Sequence, residues 1–200
     1  MVAFDEAALT TLLTEQRYDE VAPQLDEDEL KSATQEVLSG DWPVVIHILA
    51  HLYNGRLTNA RFLWKRIPEQ RKSQDAELAA ALQLLQMMWN KDYQGVWQAL
   101  ALPAWRPQSQ PLMEALGNRI RSHNLQLLMR SYTSISVPKV AAMLGISQAA
   151  VAEVVQREGW AMDPSSGLCQ IKQPEVPDIQ QVEPKQLEDL TKYLMHLEST

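Results

Sequence analysis

The chain has 200 residues, 46% of them hydrophobic and 22% charged, which suits a globular protein with one sizeable core or a helical array and a small second module. The excess of 25 acidic over 18 basic residues gives a formal charge of −7, which argues against general binding to nucleic acid or anionic membranes. The single cysteine excludes an internal disulfide. The sequence shows no secretion leader and no uncharged run long enough to span a bilayer, so we expect a soluble intracellular protein.

Residues 1–132 are predicted to form helices joined by short turns. Apolar residues recur at helical spacing, for example at Leu78, Leu82, Leu85 and Trp89, and no strand-like alternation interrupts them. Asp41 is predicted to cap the next helix, with Pro43 in its first turn. The predicted helices cover residues 4–16, 26–38, 57–66 and 93–100, with longer ones around 78–89 and 112–127. Short links between consecutive helices predict a stack of antiparallel helical hairpins.

Residues 133–172 have the pattern of a helix-turn-helix followed by a wing. Gly145 is predicted to end the first helix in the left-handed conformation, and Ser147 to cap the second. Short strands are expected at 133–136, 160–162 and 168–171, the last two joined by a turn at 163–167. The predicted buried positions are Val140, Leu144, Ile146, Val151 and Val154. The pattern predicts a winged helix.

The predicted winged helix lacks the charge expected of a DNA-binding module. Its three basic residues are balanced by three acidic ones, so its formal charge is zero. Duplex DNA binding draws most of its affinity from lysines and arginines that neutralise phosphates. None of the residues predicted to face outward on the second helix is basic: Gln148, Ala149, Ala152, Glu153 and Gln156. A protein-interaction or structural role is therefore favoured, with no direct binding of nucleic acid.

The C-terminal region is predicted to be a tethered helix. Residues 173–185 contain three prolines and indicate an extended linker. In the segment 186–200, apolar positions follow a three-four-three spacing typical of a helix that packs against other helices: Leu187, Leu190, Leu194 and Leu197. Packing on a partner is favoured over folding back on the chain's own domain, and both interpretations stay open.

No catalytic, cofactor-binding or metal site is predicted. His47 and His51 have the spacing of a metal-chelating pair, but the glutamate of a zinc protease helix is replaced by Ile48 and no third ligand lies nearby in the sequence. Nothing near Cys169 in sequence lowers the pKa of its thiol, so it is interpreted as a packed strand residue. The acidic run at 26–29 is interpreted as favouring a helix start and water.

Two further groups of residues have structural interpretations. The basic run at 61–72 contains five cations, Arg61, Lys65, Arg66, Arg71 and Lys72, and only one acid. It either docks an acidic partner surface or forms a solvated helix face, and the second is favoured. The six tryptophans are predicted mostly to lie at core-facing helical positions, where they lock helix pairs together: Trp42, Trp64, Trp89, Trp97, Trp105 and Trp160.

A helical array, a neutral winged helix and a C-terminal helix in this order resemble the PCI family. Its members are scaffold subunits of the proteasome lid, the COP9 signalosome and translation initiation factor three. The strings that narrow the resemblance are residues 41–43, 60–68, 92–93, 159–160 and 190–197, of which 60–68 is the most specific. They are most similar to the subunit-8 branch of the signalosome, above all to its plant forms. The resemblance covers about residues 38–200.

The resemblance implies a mostly α fold and a non-catalytic scaffold function in a complex that removes the modifier Nedd8 from cullins. The implied partners are other signalosome subunits, with no cofactor, small-molecule substrate or membrane, and the implied localisation is nucleus and cytoplasm. The four leucines of the C-terminal segment would join a helical bundle. Residues 133–136 and 168–171 would supply sheet edges to neighbours, through Thr133, Ile135, Cys169 and Ile171. The rival assignments are a homologous scaffold of the proteasome lid or initiation factor, and a DNA-binding winged-helix regulator.

Overall fold

Helices dominate the fold. The computed structural model describes residues 5–32, 38, 42–163, 167–172 and 184–198, with side chains described from 188 onward in the last range. The elements in these residues are α1 Glu6–Thr14, α2 Tyr18–Lys31, α3 Val44–Tyr53, α4 Leu57–Arg66, α5 Glu69–Gln74, α6 Ala76–Trp89, α7 Tyr93–Leu100, α8 Gln110–Ser131, β1 Ser134–Ser136, α9 Val137–Leu144, α10 Gln148–Arg157, β2 Ala161–Asp163, β3 Leu168–Gln170 and α11 Pro184–Glu198. The predicted mostly α fold with a small winged-helix module is confirmed.

Helix α3 lies at the centre of the larger core. It is apolar almost all round, and every residue from Val44 to Leu52 is buried. A helix without a polar face has to be covered on all sides, and α3 contacts α2, α4, α6 and α8.

In the described part of the chain no single helix combines the length and apolarity needed to cross a membrane. The bent pair α9 and α10, at 89°, meets those criteria only when its two helices are taken together, and only by length and composition.

Helix α2 differs from the prediction. It begins at Tyr18 instead of residue 26 and contains Pro23, while the predicted end at 38 lies beyond its last residue, Lys31. Proline lacks the N–H that would bond to the carbonyl of Asp19, four residues earlier. The side-chain amide of Asn54, at the end of α3, donates to that carbonyl at 2.9 Å. The freed acceptor is therefore satisfied by a neighbouring helix.

The predicted Asp41 cap and most of the 173–185 linker lie outside the described residues.

Helix α8 belongs to both cores. Its N-terminal half packs Leu112 and Leu116 into the helical array, and its C-terminal half packs Leu128 against the winged helix. At 1.5 Å per residue its 22 residues span about 33 Å. One continuous helix therefore connects the two modules.

The second core is a winged helix. Its three strands pair antiparallel in the order β1-β3-β2, covered by α9 and α10. Gly145 has a φ of 65° at the end of α9, and the side chain of Ser147 accepts from the N–H of Ala150, as predicted. The predicted burial of Ile146 and Val154 is only partial, and the side chain that fills the core is Val155 instead. This position lies four residues after Val151, on the same helix face.

The six tryptophans differ in how deeply they are buried. Trp42 and Trp160 are buried, whereas Trp89 is 46% exposed. The other three, Trp64, Trp97 and Trp105, are half-buried. The prediction that most of the tryptophans face a core is confirmed, since Trp64 and Trp105 also pack against the larger core. Trp89 is the exception, and its indole is covered by the guanidinium of Arg61.

Candidate interaction surfaces

Helix α11 presents a row of exposed apolar side chains. Leu190 is 57% exposed, Leu194 59% and Leu197 74%, while the side chain of Leu187 lies outside the described residues. Tyr193 and Met195 are also more than two-thirds exposed. A leucine seam folded back on its own domain would be mostly buried, so these exposures argue against the fold-back alternative. The packing of the seam on a partner stays a prediction.

The sheet offers different edges from those predicted. Strand β3 is central, with Cys169 paired to Ile135 of β1 on one side and to Met162 of β2 on the other. The N–H of Ile171 likewise donates to the carbonyl of Thr133 at 2.9 Å. The prediction that Cys169 and Ile171 form an edge is therefore wrong. Strand β1 is an outer strand, and Ile135 belongs to it while Thr133 directly precedes it. The carbonyl of Thr133 faces β3 and the side chain of Ile135 is buried, so neither group is free at the open edge. An edge contact of β1 with a partner stays a prediction.

The outer face of α10 is polar and carries little positive charge. Gln148, Glu153 and Gln156 are exposed, as predicted. At the end of the helix, Arg157 pairs with Glu158 at 2.9 Å. In the described residues the face therefore lacks the row of unpaired cations that would neutralise successive phosphates.

The winged helix is fixed to the array at the end of α9. The last carbonyls of a helix have no partner within it. Here the indole N–H of Trp97 and the amide of Asn124 donate to the carbonyl of Met143 at 3.2 and 2.8 Å, and Nε of Arg121 donates to that of Leu144 at 3.0 Å. These three donors lie on α7 and α8. The sequence offered no signal for them, because 19 to 46 residues separate the partners.

A cluster of two histidines and one carboxylate lies between α2 and α3. Oδ1 of Asp26 is 2.9 Å from Nε2 of His47 and 3.2 Å from Nε2 of His51, and the two rings stack with centroids 4.8 Å apart. Asp26 is thus a third candidate ligand, 21 residues from His47 in sequence, which sequence reasoning missed. It lies in the second half of α2, so the interpretation of the 26–29 run as the start of a helix is wrong.

The hydrogen bonds of this cluster suit a structural role better than metal binding. The indole N–H of Trp42 donates to Nδ1 of His47 at 3.3 Å, which leaves the proton of a neutral ring on Nε2, facing Asp26. A metal-binding Nε2 needs a free lone pair there and an acceptor beside Nδ1, whereas Trp42 offers only a donor. We therefore describe the cluster as a hydrogen-bonded tie between the two helices.

Burial and hydrogen bonding shift the pKa values of His51 and Asp26. Burial lowers the pKa of His51 to about 4, with a smaller contribution from His47, although Asp26 opposes the shift. Burial acts to raise the pKa of Asp26, but the hydrogen bonds and charges of the two histidines outweigh it and hold that pKa below its ordinary value. At neutral pH His51 is therefore uncharged and Asp26 is ionised.

The remaining candidates are held within the fold. Cys169 is completely buried, and burial raises the pKa of its thiol. In the basic run, Arg66 pairs with Glu29, Lys72 pairs with Glu69, and Arg71 donates to the carbonyls of Leu38 and Trp42. Part of this run therefore ties helices together. Its other two cations, Arg61 and Lys65, lie over exposed aromatic rings.

Comparison with known proteins places this architecture. Residues 38–178, from before α3 to beyond β3, match the model of the CSN8/PSMD8/EIF3K family. The chain belongs to this family. The CSN8/PSMD8/EIF3K match covers the array from α3 onward and the whole winged helix, and it confirms the resemblance drawn from the sequence strings.

Individual members of the CSN8/PSMD8/EIF3K family are similar over longer stretches. COP9 signalosome complex subunit 8 of Arabidopsis thaliana is 31% identical over 195 residues, which cover 97% of this chain and 99% of that protein. The protein of the same name from Danio rerio is 34% identical over 153 residues, 76% of this chain and 80% of that protein. That of Dictyostelium discoideum is 23% identical over the full length of both. The similarity therefore extends beyond the family model at both ends.

Proposed function

We propose that this chain is a non-catalytic scaffold subunit of the COP9 signalosome, the complex that removes the ubiquitin-like modifier Nedd8 from cullins, in the nucleus and cytoplasm. The similarity to COP9 signalosome complex subunit 8 along nearly the whole chain supports the choice of complex. The observation that carries the scaffold role is the exposed leucine row of α11. An exposed apolar row of this kind is expected on a helix that packs against helices of another protein.

The proposed contact is a helical bundle formed with other signalosome subunits. Burying each leucine of the α11 row contributes about 1.5–3 kcal/mol of apolar transfer. The net gain is smaller, because association also has to offset the ordering of the chain and the loss of free rotation. The outer strand β1 supplies a second contact, through its backbone on the side away from β3.

The chemistry of deconjugation is assigned to a partner. The polar cluster at Asp26, His47 and His51 is engaged in internal hydrogen bonds. The thiol of Cys169 is buried, with a raised pKa that disfavours the reactive thiolate. Among the described residues, this cluster and Cys169 are therefore held within the fold, which supports a scaffold role.

The test is incorporation of an α11 variant into the complex. Leu190→Asp with Leu194→Asp places two charges in the apolar row without touching the array, and we expect a folded chain that no longer co-purifies with signalosome subunits from native extract. Lys192→Asp with His196→Asp has the same four-residue spacing on the opposite side of α11 and should incorporate normally. Mass spectrometry of the wild-type complex also separates signalosome partners from those of the proteasome lid or initiation factor three.

Normal incorporation of the leucine variant would contradict the proposal. An unfolded variant would show that the row belongs to the chain's own core, and circular dichroism distinguishes this case. For the DNA-binding alternative, a sequence-selective duplex bound at nanomolar strength in moderate salt would favour a regulator.

A further inference from the structure

An open cavity of about 390 Å³ lies among the helices of the array. The turn between α3 and α4, the end of α6, and α7 and α8 surround it. Its walls are mainly apolar, with Leu57, Met88, Val96 and Ile120 among them. This size and lining are typical of sites that take an apolar group of a ligand or partner. Neither the α11 row nor the sheet edge includes it.

Basic side chains line the cavity. Lys91, Arg119 and His123 line it, and no aspartate or glutamate is among its lining residues. Arg119 stacks over the ring of Tyr53 at 4.4 Å and pairs with Asp19 at 2.6 Å. Lys91 is exposed and makes no ion pair in the described part of the chain. The carboxylate of Asp19 thus offsets the charge of Arg119, and Lys91 is the lining cation without an ion pair in the described residues.

The cavity continues into an exposed surface of cations and aromatic rings. Arg61 lies 5.2 Å over the ring of Trp89, and Lys65 lies 5.9 Å from that of Phe62. Trp89 is 46% and Phe62 56% exposed. Arg61 follows the cavity residue Leu57 by one turn of α4, and Trp89 follows the cavity residue Met88 directly, so the two regions adjoin. Neither Arg61 nor Lys65 has a carboxylate partner in the described residues.

We propose that the cavity and the adjoining Arg61–Trp89 stack form one docking surface for an acidic segment of another polypeptide. The segment inserts one apolar side chain between Leu57 and Val96 and sets its carboxylates against Lys91 and Arg61. Arginine and tryptophan are enriched among the residues that carry most binding energy at protein interfaces. Charge complementarity selects the acidic partner, and the apolar depth of the cavity selects its anchor.

A protein segment fits this surface better than a nucleic acid. Backbone recognition of nucleic acids relies on a track of cations along successive phosphates, whereas here the unpaired cations flank an apolar opening. The surface uses α4, α6, α7 and α8, not α11. Its test is therefore independent of the proposed scaffold role, and failure of either leaves the other standing.

Selection from a phage-displayed library of random dodecapeptides on the full chain tests the proposal. We expect enriched peptides with several acids around one large apolar residue. A fluorescein-labelled copy of the most enriched peptide should bind in anisotropy titrations. Replacing its apolar residue with serine should weaken binding at least about tenfold, the equivalent of about 1.4 kcal/mol. This variant leaves the protein itself unchanged, so misfolding cannot explain the loss.

Matched protein variants then locate the site. Lys91→Glu and Arg61→Glu should each weaken the labelled peptide at least about tenfold, whereas Arg157→Glu, the same change on exposed α10, should alter binding less than about twofold. Leu57→Trp, which narrows the cavity, should reduce binding to the level of the serine peptide. Thermal unfolding confirms that each variant is folded.

Three results would overturn the proposal. The first is a selection that enriches no peptides, or peptides without acidic residues. The second is equal binding by the Lys91→Glu and Arg157→Glu variants. The third is a single-stranded RNA 20-mer that binds the wild-type chain more tightly than the selected peptide.

Discussion

Replacing Gly145 with alanine tests the attachment of the winged helix to the array. Gly145 combines a φ of 65° with close contact to Trp97, so that a Cβ added there would overlap the indole ring. Gly159 has nearly the same φ, 68°, but a Cβ there would meet nothing within 4 Å. The pair therefore separates the conformational penalty from the steric one.

The two penalties have different expected sizes. A non-glycine residue in the left-handed region costs about 1–2 kcal/mol, which applies to both positions. Overlap in a packed site adds about 1–3 kcal/mol, which applies only to Gly145. We therefore expect Gly159→Ala to lower the free energy of unfolding by about 1–2 kcal/mol and Gly145→Ala by about 2–5 kcal/mol. The difference measures the contact with Trp97.

Urea unfolding followed by circular dichroism provides the comparison, with the free energy taken from the midpoint and slope. In a Trp97→Val background, which removes the indole, the difference between the two alanine variants should shrink towards zero. Equal losses for the two glycines in the wild-type background would refute the argument that the ring is held against the end of α9.

Three further predictions concern single groups. The pKa of His51 is about 4 in the fold against 6.5 ordinarily, so between these pH values the unfolded chain binds a proton that the folded chain does not. The free energy of unfolding should therefore fall by about 3 kcal/mol from pH 6.5 to 4, and His51→Gln should flatten this pH dependence. Cys169 should react with a thiol reagent far more slowly in the native chain than in denaturant; equal rates would contradict its burial. Asn54→Ala should lower the free energy of unfolding, measured by urea titration, by about 1 kcal/mol, because it leaves the carbonyl of Asp19 without its donor. Adding Pro23→Ala should recover this loss, because alanine restores the helical N–H that bonds to the same carbonyl.

Local sequence signals located several elements accurately. Helices α4 and α7 have the predicted bounds, because their ends depend on residues within one turn. Pro68 follows the end of α4, and the side chain of Asp92 accepts from the N–H of Gly95 at the start of α7. Helix α2 was misplaced because its continuation through Pro23 depends on a donor from α3, which periodicity within α2 does not reveal.

The interaction surfaces likewise differ in how far the sequence could predict them. The apolar row of α11 follows from spacing alone, so the sequence could name it. The order of the strands depends on whether β2 or β3 pairs with β1. Each strand has only three residues, too few for the sequence to indicate whether it is a central or an outer strand of the sheet. The Asp26 cluster and the cavity could not be predicted for a related reason: both join residues from helices far apart in sequence.

The continuity of α8 makes its length a geometric constraint on the whole molecule. Inserting one residue between Gly117 and Asn124 would turn everything beyond it by about 100° and advance it by about 1.5 Å, because those are the increments of an α-helix. The donors on α7 would then miss the end of α9, and β1 would face a different direction. An insertion in the loop at 101–109 would leave that relation untouched. We therefore expect natural length variation in this lineage to fall in the loops, with the register of α8 preserved.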